Sequence, residues 1–62
     1  MLSLSYDILQ MPSDQIRRIY KTVLDHNVTH EVVQDPVNTN RYTIYCQETK
    51  KNCKALKQIG FQ

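Results

Sequence analysis

The sequence predicts a small α+β domain with the element order β-α-β-β-α. An alternating apolar segment opens the chain, a segment rich in β-branched and aromatic residues lies at 41–47, and helical periodicity follows each of them. With 62 residues the chain is expected to form one domain, residues 1–62. A domain of this size buries only about 60% of its unfolded surface, so we expect marginal stability unless a metal, a disulfide or a partner chain contributes.

The first 27 residues predict a strand followed by a helix. Polar residues alternate in the strand with an apolar face made of Leu2, Leu4, Tyr6 and Ile8. After Pro12, a helix is expected to begin at Ser13 or Asp14, with the Ser13 hydroxyl as its cap, and to close at Asn27. Spacings of three and four place five apolar residues on one stripe of this helix: Ile16, Ile19, Tyr20, Val23 and Leu24.

Residues 28–47 predict a hairpin. Its first strand, Val28 to Gln34, suits the edge of a sheet, because the adjacent Val32 and Val33 point to opposite faces and leave its register open. The Asp35 to Asn40 connection is too long for a two-residue turn. In the second strand, Arg41 to Gln47, the expected core set is Tyr42, Ile44 and Cys46.

The last segment predicts a second helix, from Glu48 to Ile59. Its apolar side is expected to hold Thr49, Cys53, Leu56 and Ile59. Gly60 stands where a left-handed residue closes a helix, and Phe61 is then expected to fold back onto the last turn.

These elements predict a three-stranded sheet with two helices packed on one face. A right-handed crossover and hairpin pairing together favour the strand order 1-3-2. The arrangement resembles a ferredoxin-like split unit that lacks its last strand. Such a sheet has two open edges, and an open edge is a template for another strand, so we expect either a homodimer formed at an edge or a partner protein bound there.

Positive charge is concentrated toward the end of the chain. Residues 1–40 hold three basic and five acidic side chains, whereas residues 41–62 hold five basic and one acidic. The basic candidates of the second helix are Lys50, Lys51, Lys54 and Lys57, and those of the first are Arg17, Arg18 and Lys21. If both helices cover one face, these patches are expected to merge into a surface for an acidic protein or a phosphate. The simpler alternative is a solvated helix face.

The other face of the sheet carries a second set of candidates. Arg41, Thr43 and Tyr45 share it, so that a base would stack on Tyr45 while a phosphate meets Arg41, as in sheets that bind RNA. Only one aromatic residue lies there, and cross-strand packing is the alternative explanation.

The residue types exclude most catalytic chemistry. The candidate nucleophiles Cys46 and Cys53 have no evident base beside them. His26 and His30 do not indicate a zinc site, because the sequence has no Cys-x-x-Cys motif. With Gly60 as the single glycine, no phosphate-binding loop is possible. We therefore expect neither enzyme activity nor a metal or cofactor.

The start of the chain predicts a cytoplasmic protein. Apolar and polar residues alternate after Met1, where a secreted protein has a charged and then an apolar leader. No apolar run is long enough to span a membrane. Cys46 and Cys53 are accordingly expected to be reduced thiols.

The sequence thus favours a small non-enzymatic protein-binding module, an inhibitor or regulator that masks a partner's surface through its sheet edge or basic helix face. The alternative is RNA or DNA binding by the basic second helix with Arg41 and Tyr45. Chains of this length without a targeting signal are frequent among small phage, plasmid and stress-regulated proteins, so we expect a phage or mobile-element protein. No motif identifies a family, and the identity of the partner stays open.

Overall fold

The computed structural model describes residues 1–62 and confirms the predicted α+β topology. Its elements are β1 (Leu2–Asp7), α1 (Ser13–Asp25), β2 (His30–Gln34), β3 (Arg41–Cys46) and α2 (Lys50–Leu56), the last continued by a 3-10 turn (Lys57–Ile59). The strands form one antiparallel sheet in the order β1-β3-β2, as predicted, with β2 at one edge.

The central strand β3 sets the register of the whole sheet. Ile44 lies opposite Leu4 of β1 on one side and Val32 of β2 on the other. Because directly opposite residues share a face, the three side chains point toward the helices. Ile44 and Cys46 are buried and Tyr42 is half-buried, which confirms the predicted core set of β3.

A single hydrophobic core joins the sheet to both helices. This continuity confirms that α1 and α2 pack on the same face. The buried residues of the core are Leu2, Leu4, Tyr6, Ile19, Val23, Val28, Ile44, Cys46, Leu56 and Phe61. At the rim of this core Tyr6 stacks on Tyr42, with ring centroids 5.7 Å apart, and shares a hydroxyl hydrogen bond with Tyr20. Burial, and then this hydrogen bond, raise the pKa of Tyr20.

The first half confirms some predicted details and corrects two. α1 begins at Ser13, as predicted, but the Ser13 hydroxyl does not cap it; the Pro12 carbonyl accepts from the N–H groups of Gln15 and Ile16 instead. Ile8 lies outside β1 and is exposed, because the Asp7 carboxylate accepts from the Leu9 N–H at 2.8 Å and turns the chain. The predicted closure of α1 at a left-handed residue is confirmed, with Asn27 at φ 52°.

The limits of the later elements also differ from the prediction. β2 begins at His30, since Val28 is buried in the connection that precedes it. α2 begins at Lys50, because the Thr49 side chain caps it by accepting from the Asn52 N–H at 3.1 Å. Thr49 is therefore exposed and does not belong to the apolar side of α2, while Leu56 is buried as predicted.

The tail after α2 returns along the sheet. Gly60 has φ +111°, a left-handed conformation that favours glycine, and a β-carbon there would lie 3.2 Å from Leu4 Cδ1. The turn lets Phe61 fold back into the core, where its N–H donates to the Leu56 carbonyl at 3.2 Å. Both predictions about this turn are confirmed. Gln62 and Ser3 then exchange two backbone hydrogen bonds of 2.9 and 3.0 Å, so the tail lies beside β1.

Candidate protein-binding surfaces

The two edges of the sheet differ in how far the chain itself covers them. On β1 the outward backbone groups belong to alternate residues, and those of Ser3 are bonded to Gln62. The outward carbonyl of Asp7 accepts from the N–H groups of Gln10 and Met11. The edge at β1 is thus closed at both of its ends by the chain's own residues.

The edge at β2 has no such cover. Asp35 donates its N–H to the Arg41 carbonyl at 2.8 Å. Backbone groups alternate in direction along a strand, so those of Asp35, Val33 and Glu31 point toward β3. The N–H and C=O groups of the residues between them point outward, and none of these groups takes part in a hydrogen bond of a turn, loop or cap. We name this row the β2 edge; its residues are His30, Val32 and Gln34.

Apolar side chains flank the β2 edge on both faces of the sheet. Val32, on the helix side, is 41% exposed and Val33, on the opposite face, is 43% exposed. The segment that follows α2 lies beside β1. On α1, Thr22 faces α2, and helical periodicity places Leu24 on the opposite flank of the helix. Leu24 is accordingly 61% exposed and does not join the core as predicted.

Edge strands in soluble proteins usually carry a device against unwanted pairing. Lysine, proline, a bulge or an inward charge are the common devices. β2 contains neither lysine nor proline, and its register with β3 is uninterrupted from His30 to Gln34. Glu31 is its single acidic residue. The β2 edge is therefore chemically suited to accept another strand.

A groove between the two helices brings together part of the predicted basic surface. Its lining has Thr22 of α1 and His26, directly after α1, on one side, and Lys51 and Lys54 of α2 on the other. Ala55, Gln58 and Ile59 also line it. Arg18 lies one helical turn before Thr22 and lines the adjoining depression together with Asp14, Gln58 and Ile59. We name this surface the basic groove; its polar residues are Arg18, Thr22, His26, Lys51, Lys54 and Gln58.

The remaining basic candidates lie outside the groove. Lys50, Lys57 and Lys21 are exposed on the outer surface of the helices. Arg17 is also exposed and has its guanidinium 3.8 Å from the Asp14 carboxylate. The predicted merging of the two patches thus involves Arg18, Lys51 and Lys54. No acidic side chain lines the part of the groove between Thr22 and Lys54.

On the open face of the sheet, the structure sets the predicted pair Arg41 and Tyr45 among acidic neighbours. Arg41 lies opposite Asp7 of β1. The pKa of Asp35 is lowered, chiefly because its carboxylate accepts hydrogen bonds from the backbone N–H groups of Asn38 and Val37, and to a smaller extent by the charge of Arg41.

Tyr45, 37% exposed, lies between Ser3 and Glu31. Between the rows of Arg41 and Tyr45, the hydroxyls of Ser5 and Thr43 are hydrogen bonded at 2.8 Å. Carboxylates beside both residues disfavour a phosphate on this face.

The remaining reactive side chains do not assemble into a site. Cys46 is buried, which raises the pKa of its thiol, and Cys53 is half-buried; both are free thiols. The ring of His26 bonds the Thr22 carbonyl and that of His30 bonds the Val28 carbonyl. No three His, Cys, Asp or Glu side chains lie close enough together to hold a metal ion. None of the helices has the length and apolar character needed to cross a bilayer.

Comparison of the chain with protein-family models, with curated proteins and with solved structures found no match. The candidate surfaces are therefore defined by geometry. Reasoning from sequence placed β2 at an edge but did not select His30, Val32 and Gln34 as site residues. The signal that indicates them is the absence of lysine and proline from β2.

Proposed function

We propose that this chain is a non-enzymatic protein-binding module that receives an extended segment of a partner along the β2 edge. The observation that carries the proposal is the difference between the two edges: the chain closes β1 with Gln62 and with the turn after Asp7, and leaves β2 open. By occupying a partner segment in this way, the protein acts as an inhibitor or regulator of that partner.

The chemistry of strand addition supports this proposal. Main-chain hydrogen bonds to His30, Val32 and Gln34 supply affinity for any extended segment, each contributing about 0.5 to 1.5 kcal/mol. Val32 offers an apolar contact on the helix side, and Val33 offers one on the open face. A partner segment with apolar side chains at alternate positions therefore fits this edge best.

The proposal predicts that Val32→Lys weakens partner binding at least about tenfold, because the ammonium replaces an apolar contact at the edge. Val37→Lys is the matched control: the same change of charge is made at a loop residue that is 92% exposed. Peptides selected from a displayed random library are titrated into each ¹⁵N-labelled variant. We expect amide shifts centred on residues 30–34 and lost in Val32→Lys. Shifts confined to α1 and α2, or equal affinity of both variants, would refute the proposal.

A second candidate function is nucleic-acid binding in the basic groove. The observation that favours it is that Lys51 and Lys54 face α1 across a depression whose lining holds no acidic side chain. Arg18 adds a positive charge in the adjoining depression, which Asp14 also lines. A single strand tracking this groove would meet phosphate-binding groups along the length of α2.

This candidate predicts a steep dependence on salt. With three basic contacts, raising the salt from about 20 to about 200 mM lowers the affinity for a single-stranded oligonucleotide about 100-fold. Lys51→Glu with Lys54→Glu abolishes binding, whereas the same change of charge at Lys50 and Lys57, outside the groove, has a smaller effect. Fluorescence anisotropy of a labelled mixed-sequence 20-mer measures both. An absence of binding at 20 mM salt, or equal losses in the two double variants, excludes the groove.

A further inference from the structure

We infer that the strand received by the β2 edge is β2 of a second copy of this chain, so that two molecules form one continuous antiparallel sheet about a twofold axis. The inference rests on the proposed function, because it uses the same edge, and it names a second copy as the strand that fills this edge when no other partner segment is bound. Three properties of β2 carry it: its hydrogen-bonding register, the position of its charge and the apolar residues beside it.

Register is the first property. A twofold axis at Val32 places Val32 opposite Val32 of the second copy, and His30 opposite Gln34 of the second copy. All of these residues have outward backbone groups, so directly opposed pairs exchange both N–H···O bonds, about six in total. An axis at a neighbouring residue pairs fewer outward groups, because β2 extends only from His30 to Gln34.

The position of the charge favours the same register. Glu31 is the one acidic residue of β2 and lies on the open face with Val33. With the axis at Val32, Glu31 lies opposite Val33 of the second copy. An axis at Glu31 would instead oppose the two carboxylates directly, which is destabilising. No other arrangement of this strand with itself combines the full set of hydrogen bonds with separated charges.

The exposed apolar residues lie where this pairing would cover them. Val32, which is 41% exposed, meets its own copy on the helix side. Val33, which is 43% exposed, gains a neighbouring strand on the open face. A contact of one five-residue strand from each copy is at the small end of specific interfaces. We therefore expect a dissociation constant on the order of 10 to 100 µM.

Analytical ultracentrifugation tests the inference. Between about 5 and about 500 µM, the apparent mass is expected to rise from 7.3 kDa toward twice that value. Val32→Lys brings two ammonium groups together at the axis and is expected to raise the dissociation constant at least about tenfold, while Val37→Lys leaves it unchanged. Val32→Pro is a second variant with the same expectation: it removes an outward N–H and spares the bonds between β2 and β3. Circular dichroism verifies that each variant is folded.

Disulfide trapping tests the register itself. Opposed residues of a hydrogen-bonded pair have Cα atoms about 5.5 Å apart, within reach of a disulfide. In a Cys53→Ser background, which leaves only the buried Cys46, Val32→Cys is expected to form a covalent dimer under mild oxidation. Val37→Cys, at a more exposed position, measures random collision and is expected to react at least about tenfold more slowly.

The outcomes separate the inference from the proposed function. A chain that stays monomeric at 500 µM, yet shows amide shifts at 30–34 with selected peptides, overturns self-pairing and leaves the protein-binding function intact. A dimer that Val32→Lys does not weaken, or that Val32→Cys traps no faster than Val37→Cys, also overturns it, because the interface then lies elsewhere. A chain that neither dimerises nor binds peptides at the β2 edge overturns both.

Discussion

Phe61→Ala is expected to lower the free energy of unfolding by about 3 to 5 kcal/mol. Phe61 is among the fully buried side chains of the core, although it lies one residue from the end of the sequence. Its ring secures the tail whose Gln62 is bonded to Ser3. A single core in a domain of this size supplies about 3 to 5 kcal/mol in all, so the variant is expected to be largely unfolded at 25 °C.

Urea denaturation followed by far-ultraviolet circular dichroism measures this change. Gln62→Ala is the matched control, since Gln62 is exposed and its bonds to Ser3 come from the backbone; a change within about 0.5 kcal/mol is expected. A loss of less than about 1 kcal/mol in Phe61→Ala would show that the tail contributes little to the core.

Ile44→Ala is expected to cost about 2 to 5 kcal/mol. Ile44 is completely buried in the central strand, opposite Leu4 and Val32, so the lost methyl groups leave a cavity that touches both edge strands. The surrounding side chains are anchored in a sheet with partners on both sides, and they relax only partly into that cavity.

The control for Ile44→Ala is Val33→Ala, a comparable truncation of a β-branched residue on the open face, where the expected loss is below about 1 kcal/mol. Both are measured from the midpoint of thermal or urea unfolding. If the two variants lose equal stability, the core does not lie on the helix side of β3 as the register requires.

Local patterns in the sequence predicted much of the fold. The alternation from Leu2 to Tyr6, the helical spacing of Ile19 and Val23, and the glycine before Phe61 each depend on a few neighbouring residues, and the structure bears out all three. Strand order followed from chirality and hairpin pairing, which restrict how so few elements can be connected.

The predicted core positions that proved wrong are those where local and non-local interactions compete. Leu24 fits the helical stripe by spacing, yet it is exposed because α1 buries the flank nearer to α2. Thr49 fits the apolar side of α2 by spacing, yet its hydroxyl is used as a cap. Spacing along the chain records neither the direction of a neighbouring helix nor the choice between a cap and a core position.

The candidate surfaces were predicted in outline only. Lysines at spacings of four and three in α2 indicated a basic face, but the groove that unites Lys51 and Lys54 with Arg18 depends on how α1 and α2 pack. Arg41 and Tyr45 share a face as alternation requires, whereas the carboxylates of Asp7 and Glu31 beside them come from other strands.

By itself, the sequence determined the elements, their order in the sheet and the absence of catalytic motifs, because these properties depend on side-chain periodicity and residue type. Only the tertiary structure decided which edge is open. The bonds between Ser3 and Gln62 join residues from the two ends of the chain, and the outward direction of the Val32 backbone follows from pairing with β3. Hydrogen bonds between residues far apart in sequence leave no local pattern to read, and they distinguish the edge that the chain covers from the edge that it leaves open.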